Sequence, residues 1–386
     1  MNIAFIDPAF HLLGGTEKCN VVLVRELSRW CDFTLFARTV RNLDGLKFKI
    51  VRIPSFSYPP LLDYFSFLII GNLTLWFRRL LKREKYDLVI TTGPNSPQAD
   101  ITTVHMCVAA RYELVKKGVL SIAEKSWFKK IHFHLLHRII PPIEKFMYNH
   151  TNIKNIICVS EGVRRDILRF YNVPPEKAIA IPNTVDPVKF HPANRERFNT
   201  AIREKHGLKE DDIVLLYVGS EFALKGAHLV IEALPFIPYL KAKLLVVGRG
   251  TFQYHRRLAE KLGVADRVIF AGFSDDVRQY YAAGDIFVYP TFYEAFSLIT
   301  LEAAASGLPL VAAKVNGTEE LIVDGHNGFF VKHDAKDIAE KVNRLIEDEA
   351  LRQQMSINIR KSAEQFSPEE MARKTMQVYE SILKGK

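Results

Sequence analysis

Apolar runs of strand length alternate with helical patterns along the second half of the chain. Few polar residues interrupt these runs, so they predict strands that are buried on both faces. Such strands belong to a parallel sheet with helices on either side. The runs occupy residues 213–220, 243–250, 267–273, 285–291, 308–315 and 328–331.

The first half of the chain follows the same scheme less regularly. A long helical, basic and aromatic insertion separates two of its strands and lies between His105 and Asn152. The pattern still predicts an α/β domain with a parallel sheet. Its predicted strands occupy residues 2–7, 33–37, 48–54, 87–93, 101–105 and 155–160.

The two halves join in a stretch, residues 180–194, that contains three prolines and a turn. We therefore predict two Rossmann-like, doubly wound domains, residues 1–185 and 186–365, that face each other across a cleft. Residues 366–386 open with a Ser-Pro-Glu-Glu helix start and are expected to pack back towards the N-terminal domain. Ligands of such sheets bind at the carboxyl ends of the strands.

Composition and charge narrow the class of protein. The chain has 386 residues, of which 48% are hydrophobic and 25% charged, and this predicts ordered globular domains. Its net charge is +10, and residues 1–188 carry the whole excess, with 26 Lys and Arg against 16 Asp and Glu. A basic half suggests an anionic partner, and a solvated basic surface is the plainer interpretation. No nucleic-acid-binding motif accompanies the charge.

The cysteines and the apolar segments indicate the cellular compartment in which the protein is expected. No CxxC pair occurs among the four cysteines, which favours a reduced, cytosolic protein. The opening residues MNIAFID read as a strand, so we expect no signal peptide. The most apolar stretch, Tyr64 to Phe77, is shorter than the ~20 residues of a membrane-spanning helix. Basic residues beside Trp76, Phe77, Trp127 and Phe128 suit peripheral docking at an anionic membrane.

A dinucleotide-dependent oxidoreductase is disfavoured. The loop after the first strand, DPAFHLLGGTEK, lacks the GxGxxG fingerprint, and GRG at 248–250 is followed by Gln253 where a third glycine belongs. Two other strand ends suit phosphate instead. Gly14 and Gly15 precede a helix start, where amide groups approach an anion. Lys225 and Gly226 follow another strand, where the ammonium supplies a positive charge.

Residues 289–307, YPTFYEAFSLITLEAAASG, place two glutamates around an apolar run. We predict a helix that begins at about Ala295, with Glu294 in the turn before it and Glu302 within it. The free N–H groups of the helix start, from Ala295 through Phe296 and Ser297 to Leu298, would hold a diphosphate. Carboxylates accept hydrogen bonds from sugar and ribose hydroxyls. The plainer interpretations are a helix-start carboxylate for Glu294 and a solvated position for Glu302.

Several of these motifs together resemble a known family. The segments EAFSLITLE, AAASGLPLVA and NGTEELIVDGHNGFFV in the second half are similar to the family 4 retaining glycosyltransferases of the GT-B fold. The first half matches more loosely, through GGTE, ITTVH and CVSEGVRRDIL. The stretch VGSEFALKG and the basic, aromatic insertion resemble most the lipopolysaccharide-core glucosyltransferases of this family.

The resemblance implies roles for individual residues. Glu302 would hold the donor ribose, Glu294 and His105 would contact the transferred sugar, and Lys225 would neutralise the diphosphate. Gly15 would also offer a backbone amide to the diphosphate. Glu294, His105 and Lys225 are thus the expected catalytic residues.

The rest of the expected donor site departs in one respect from the family. Arg249 and Phe273, at two strand ends, would border the nucleotide base. The family usually has an arginine just after the strand glycine or beside the lysine, where this chain has Ser220 and Leu224. Ser220 would still line the donor site, and the phosphate charge would fall on Lys225, with Arg249 as a candidate second cation.

The implied activity is retaining transfer of a hexose from a nucleoside-diphosphate sugar to a cell-envelope glycan or a lipid-linked acceptor such as lipopolysaccharide core. A UDP-sugar is the favoured donor and GDP-mannose the alternative. The resemblance implies no cofactor and no metal, and helix capping explains the acidic pairs at 211–212 and 275–276. A nucleotide-sugar 2-epimerase on the same scaffold stays open. A carbohydrate-binding module fits poorly, because it needs no nucleotide site.

Overall fold

The computed structural model describes residues 1–43, 45–56, 58–119 and 127–385 and divides the chain into two units. Unit 1 holds the N-terminal residues as far as Asn183 together with the segment from Pro368, and unit 2 runs from Thr184 to Ser367. These divisions lie close to the domain ends at 185 and 365 drawn from the sequence. Lys125 of the basic insertion lies outside the described residues, as do the side chains of Phe128 and Lys129.

Unit 1 is built on a parallel sheet. Seven of its described strands have the order β5-β3-β1-β6-β7-β8-β9, and every neighbouring pair is parallel. Two short strands, β2 and β4, form a separate parallel pair. The strands are β1 (Asn2–Ile6), β2 (Ala9–Phe10), β3 (Asp32–Ala37), β4 (Thr39–Val40), β5 (Phe48–Arg52), β6 (Leu88–Thr92), β7 (Ile101–Val104), β8 (Asn155–Cys158) and β9 (Ala178–Ala180).

Helices make most of the crossovers between these parallel strands, whereas β3–β5 and β6–β7 are joined without a helix. The long insertion after β7 forms two of them, α3 and α4. A short 3₁₀ turn, Pro175–Lys177, precedes β9. The helices are α1 (Gly15–Leu27), α2 (Pro60–Leu80), α3 (Val108–Lys116), α4 (Trp127–His150) and α5 (Glu161–Tyr171).

Helix α2 is longer than the sequence pattern indicated. The apolar run from Tyr64 to Phe77 is extended by a turn at each end, so the helix has 21 residues. It is the one described helix that is long and apolar enough to cross a membrane, by length and composition alone. Its buried residues Phe67, Gly71 and Leu75 lie on one side, which packs in the interior of unit 1.

Unit 2 is a second parallel sheet, with the strand order β12-β11-β10-β13-β14-β15. The strands are β10 (Ile213–Val218), β11 (Ala242–Val247), β12 (Val268–Gly272), β13 (Ile286–Tyr289), β14 (Leu310–Ala313) and β15 (Gly328–Val331). The helices are α6 (Asn194–Lys205), α7 (Ala227–Ala233), α8 (Gln253–Lys261), α9 (Arg278–Ala283), α10 (Leu298–Ala305), α11 (Thr318–Leu321), α12 (Ala335–Glu347) and α13 (Glu349–Glu364). The 3₁₀ turns are Leu234–Phe236 and Ala265–Arg267.

The prediction of two doubly wound parallel α/β domains is confirmed. In both sheets the chain starts in a middle strand, moves to one edge, and then crosses to the other side. The switch lies between β1 and β6 in unit 1 and between β10 and β13 in unit 2. In sheets of this kind, ligands bind beside the switch at the carboxyl ends of the strands.

The C-terminal helix α14 (Pro368–Lys384) belongs to unit 1. Its residues Ala372, Val378, Tyr379 and Ile382 join the hydrophobic core that also contains Val21, Val24 and Leu27 of α1. The final helix is thereby held on the first domain by burial of apolar side chains.

A buried carboxyl group links three helices of unit 1. Glu144 of α4 is 2% exposed and accepts hydrogen bonds from Tyr171 of α5 and, at 3.5 Å, from Tyr148. The Tyr171 hydroxyl also accepts from the backbone N–H of Ala109, in the first turn of α3, at 3.3 Å. Burial raises the pKa of the Glu144 carboxyl to about 8.

We therefore expect unit 1 to lose stability between about pH 5 and pH 8, and Glu144→Gln to reduce this loss. The unfolded carboxyl releases its proton near its usual pKa, whereas the folded one keeps it, so rising pH favours the unfolded state in this window. One such group changes the free energy of unfolding by about 3 kcal/mol between pH 5 and pH 7. Urea unfolding of both proteins at several pH values measures the difference.

Comparison of the two proteins isolates Glu144, because a second group acts in the same direction. Burial also raises the pKa of Asp7 in unit 1, to about 7. Asp7 is present in both the wild type and the variant, so its contribution cancels when their pH dependences are compared. Equal pH dependence in the wild type and the variant would contradict the assignment.

Candidate active site

An ion pair lies where the connections after β10 and β13 meet. Lys225 precedes α7, Glu294 lies between β13 and α10, and the two strands are neighbours in the sheet. The Lys225 Nζ donates to Glu294 Oε1 at 2.7 Å and to the Tyr293 carbonyl at 3.3 Å. The two side chains are only 16% and 12% exposed. A cation and a carboxylate are thus held together beside the switch of the sheet.

One buried tyrosine donates to this carboxylate, and a second buried tyrosine packs against the first. The Tyr289 hydroxyl donates to Glu294 Oε1 at 2.9 Å, and the Tyr217 ring lies 5.7 Å from the Tyr289 ring. Burial, reinforced by the negative charge of Glu294, raises the pKa of both tyrosines well above the usual value. Both therefore stay protonated. Within the described residues, Glu294 Oε2 accepts no hydrogen bond, so this oxygen is available to a hydroxyl group of a ligand.

The helix after Glu294 begins later than predicted. It starts at Leu298, with Ser297 as its N-cap, and the Ser297 hydroxyl accepts from the Thr300 N–H at 3.3 Å. Ala295 and Phe296 form a non-helical loop packed against Gly317, where an added Cβ would lie 2.9 Å from the Phe296 Cα. The predicted helix start at Ala295 is therefore wrong by three residues, while Glu294 lies before the helix and Glu302 within it, as predicted.

Because the helix starts at Leu298, the N–H groups at its N-terminus belong to other residues than those predicted. Ser297 satisfies the N–H of the third helical residue, while the N–H groups of Leu298 and Ile299 have no partner within the helix. Ala295 and Phe296 contribute loop amides rather than helical ones. An anion at this helix start would interact with the positive end of the helix dipole.

Glu302 is buried in α10 rather than solvated. It is 7% exposed, and its Oε2 accepts from the Tyr281 hydroxyl at 3.2 Å. Burial and the adjacent Glu302 raise the pKa of Tyr281 well above its usual value, so this tyrosine is a permanent donor. The small residues that follow, Ala303 to Ala305, are also buried.

Arg249 and Phe273 lie together at the ends of two neighbouring strands, β11 and β12. The Arg249 guanidinium lies 4.3 Å from the centroid of the Phe273 ring, which is 53% exposed. A cation over an exposed aromatic ring gives a flat surface suited to stacking against a planar group. The structure thus brings these two predicted residues together, as it does Lys225 and Glu294.

Close backbone contacts fix the loop that carries Ser220. Gly219 lies so near Gly248 that an added Cβ on Gly248 would lie 1.7 Å from the Gly219 carbonyl oxygen. A Cβ on Gly250 would likewise lie 2.6 Å from the Phe222 ring. Ser220 is exposed at the end of this contact. The glycines of VGS and VGRG could have indicated this close approach of two backbone segments, but the sequence analysis did not predict it.

The predicted residues of unit 1 have different surroundings. Gly14 is the N-cap of α1 and Gly15 its first residue. The Glu17 carboxylate lies against Gly14, where an added Cβ would be 2.0 Å from its Oε2. A negative charge therefore occupies this helix start. His105 follows β7, and burial lowers its pKa to about 4, so its imidazole is neutral, with one ring nitrogen able to donate and the other able to accept.

The sequence analysis did not identify Tyr289 and Tyr281, which donate to the two carboxylates, or Tyr217, which packs against Tyr289. Tyr217 and Tyr289 lie in apolar strands and Tyr281 in a short helix, where each reads as an ordinary core residue. Within the described residues, no group of three or more His, Cys, Asp or Glu side chains is arranged to hold a metal ion. The absence of a metal requirement stays a prediction.

Two family models match the chain. Residues 13–189 match Glycosyltransferase Family 4, and residues 198–362 match Glycosyl transferases group 1. An uncharacterized glycosyltransferase of Methanocaldococcus jannaschii is 32% identical over 232 residues, which cover 58% of this chain and 59% of that protein. The lipopolysaccharide glucosyltransferase WaaG of Escherichia coli is 30% identical over 195 residues, 50% of this chain and 52% of WaaG. The chain thus matches little more than half the length of these relatives.

Solved structures are similar over nearly the whole chain. The crystal structure of WaaG, described as involved in lipopolysaccharide biosynthesis, has a TM-score of 0.76 at 22% identity and covers 98% of this chain and 99% of that one. The Anabaena protein HepE, in complex with UDP and glucose, has a TM-score of 0.72 at 20% identity and covers 99% and 100%. At this identity the similarity shows the fold, and the predicted GT-B fold is confirmed.

Proposed function

The chain belongs to glycosyltransferase family 4, and on this premise we propose that it transfers a hexose, with retention, from a nucleoside-diphosphate sugar to a cell-envelope glycan or lipid-linked acceptor. A UDP-sugar is the favoured donor, since HepE was solved with UDP and glucose, and GDP-mannose is the alternative. Lipopolysaccharide core is the favoured acceptor, since WaaG is a lipopolysaccharide glucosyltransferase. The observation that carries the proposal is the buried Lys225–Glu294 pair beside the start of α10.

In this proposal the ion pair changes partner when the donor binds. Without a ligand, Lys225 neutralises Glu294 at 2.7 Å. A diphosphate carries more negative charge than one carboxylate and would attract the Lys225 ammonium. The exchange would release Glu294 Oε1 from Lys225 while Tyr289 still donates to it. Glu294 would then accept from hydroxyls of the transferred sugar.

The other proposed contacts with the donor come from residues near the carboxyl ends of the strands. The N–H groups of Leu298 and Ile299, aided by the loop at Ala295 and Phe296, would face the diphosphate. The Glu302 carboxylate would accept from both ribose hydroxyls, oriented by Tyr281. Arg249 and Phe273 would stack against the base, and Ser220 would lie beside the phosphates. The roles of His105, Gly14 and Gly15 rest on the family resemblance alone, and a diphosphate at Gly14 and Gly15 would require the Glu17 carboxylate to move away.

The departing nucleoside diphosphate develops negative charge as the glycosidic bond breaks. Lys225 and the amides of the helix start stabilise this charge, and preorganised donors of this kind lower the barrier. On this basis the reaction needs neither a metal nor a cofactor. Glu294 is assigned as an acceptor for hydroxyls of the transferred sugar and not as a nucleophile.

We place the enzyme in the cytoplasm, at the inner face of the cytoplasmic membrane. The excess positive charge of residues 1–188 supports this location, because cytoplasmic leaflets are anionic. A lipid-linked acceptor would also be presented there. The epimerase alternative needs no acceptor, so turnover of a UDP-sugar to a free 2-epimer without any acceptor would favour it.

The donor is tested by thermal stabilisation with UDP, GDP, ADP and CMP. We expect UDP to raise the melting temperature of unit 2 and CMP to have no effect, because CMP lacks the diphosphate that Lys225 would bind. UDP-glucose and UDP-galactose then distinguish the sugar. Stabilisation by none of the four nucleotides would contradict the nucleotide site.

A further inference from the structure

The outer face of α2 is apolar, although it faces away from the interior of unit 1. Five large side chains form this face, which we call the α2 stripe: Leu62, Ile69, Leu73, Trp76 and Leu80, at 44%, 56%, 60%, 53% and 56% exposure. At 100° per residue they fall within about 60° of arc and extend for about 27 Å. Phe77, at 47% exposure, lies at its border. A surface helix normally has charged residues on this side.

The opposite face of α2 packs in the interior of unit 1. Phe67 and Leu75 are fully buried, and a Cβ added at Gly71 would lie 3.9 Å from methyl groups of Ile6 and Ile53. The helix is therefore fixed along the surface of unit 1, with one apolar face inward and the other outward. A solvent-exposed apolar stripe of this length indicates a binding site for a partner or a membrane.

Charge at one end of the stripe indicates the partner. Arg79, Lys82 and Arg83 are exposed at the C-terminal end of α2 and just beyond it. Arg78 pairs with Glu84 at 2.7 Å, but Arg79 and Arg83 form no ion pair with any described residue. Trp76 of the stripe lies about one helical turn before Arg79, the first of these basic residues. Apolar residues flanked by Trp and basic side chains are typical of helices that lie in the headgroup region of an anionic bilayer.

We propose that α2 is the membrane-docking element of this protein and lies parallel to an anionic lipid bilayer with its stripe in the headgroup–acyl boundary. The basic end of α2 binds anionic headgroups, and the stripe supplies the part of the binding that resists salt. Docking by α2 extends the proposed peripheral location but does not depend on transfer chemistry. Its assay is therefore independent of nucleotide binding.

Sedimentation with vesicles tests the proposal. The wild type is expected to bind phosphatidylcholine vesicles that contain phosphatidylglycerol and to retain part of this binding in high salt. The stripe variant Ile69→Ser/Leu73→Ser/Trp76→Ser should lower partitioning at least about tenfold, because three apolar side chains lose their lipid contacts. The basic variant Arg79→Gln/Lys82→Gln/Arg83→Gln should lose the preference for phosphatidylglycerol.

A matched control removes three apolar side chains of unit 2 that are about as exposed as those of the stripe or more so. Val188, Leu240 and Val323 of unit 2 are 85%, 73% and 59% exposed, and their replacement by serine should leave vesicle binding unchanged. Single Leu73→Ser should have a smaller effect in the same direction, and UDP stabilisation should be equal in all variants. No vesicle binding by the wild type, or equal binding by the stripe variant, would overturn the proposal. A dimer that dissociates in the stripe variant would show that a second copy covers the stripe.

Discussion

Replacing Glu302 by alanine is expected to weaken UDP binding about 100-fold or more while leaving unit 2 folded. The buried carboxylate would lose two charge-assisted hydrogen bonds to the ribose, each worth about 1.5–3 kcal/mol. The fold should persist, because the Tyr281 hydroxyl also donates to the Ile299 carbonyl at 3.2 Å and keeps a partner. Calorimetric titration with UDP measures the dissociation constant, and the unfolding temperature without ligand reports the fold.

Two further variants separate the charge from the shape of this residue. Glu302→Gln keeps the volume and one acceptor oxygen, so its affinity should lie between those of the wild type and the alanine variant. Glu340→Ala removes an exposed glutamate from α12, where its pair with Lys341 contributes little, and should bind UDP normally. Wild-type affinity in Glu302→Ala would show that the ribose is held elsewhere.

The strands of unit 2 could be predicted because burial on both faces leaves an unbroken apolar run. Residues Ile213–Val218 of β10 and Ile286–Tyr289 of β13 both lie inside the predicted runs. These two runs were too long by two and three residues, since Gly219 and Pro290 leave the sheet without changing the local hydropathy. Backbone pairing, which ends a strand, is a property of the neighbouring strand and is not encoded locally.

The start of α10 could not be predicted from its own residues. Ala295 and Phe296 have ordinary helix propensity, and Glu294 is a favourable residue before a helix. Contact with Gly317, more than twenty positions along the chain, keeps Phe296 out of the helix, and Ser297 then becomes the cap. Tertiary contact outweighs a weak local preference here.

The contact between Tyr289 and Glu294 could not be predicted from local sequence either. The position of Tyr289 at the end of a strand was readable, but the direction of its hydroxyl, towards Glu294, depends on the loop that follows. In unit 1 the glycines before α1 were readable as a helix start. The approach of the Glu17 carboxylate to Gly14 was not. Motifs thus located the ends of the elements, and side-chain packing determined which charges meet there.

Gly226→Ala is expected to destabilise unit 2 by about 2–4 kcal/mol and to abolish measurable UDP stabilisation. Gly226 is the N-cap of α7 with φ of 73°, and a Cβ there would lie 2.2 Å from the Pro290 carbonyl oxygen. The backbone after Tyr289 would have to move, which separates Glu294 from Lys225. Urea unfolding measures the first effect, and a thermal shift with UDP measures the second.

Gly263→Ala is the matched control for this substitution. Gly263 has a similar φ of 68°, but nothing lies within 4 Å of an added Cβ. Its replacement should cost only about 1 kcal/mol, from the left-handed conformation alone, and should leave UDP stabilisation unchanged. The difference between the two variants therefore measures the close approach of the α7 cap to Pro290. Equal effects would mean that the loop carrying Lys225 tolerates displacement and that the Lys225–Glu294 pair is not held by this contact.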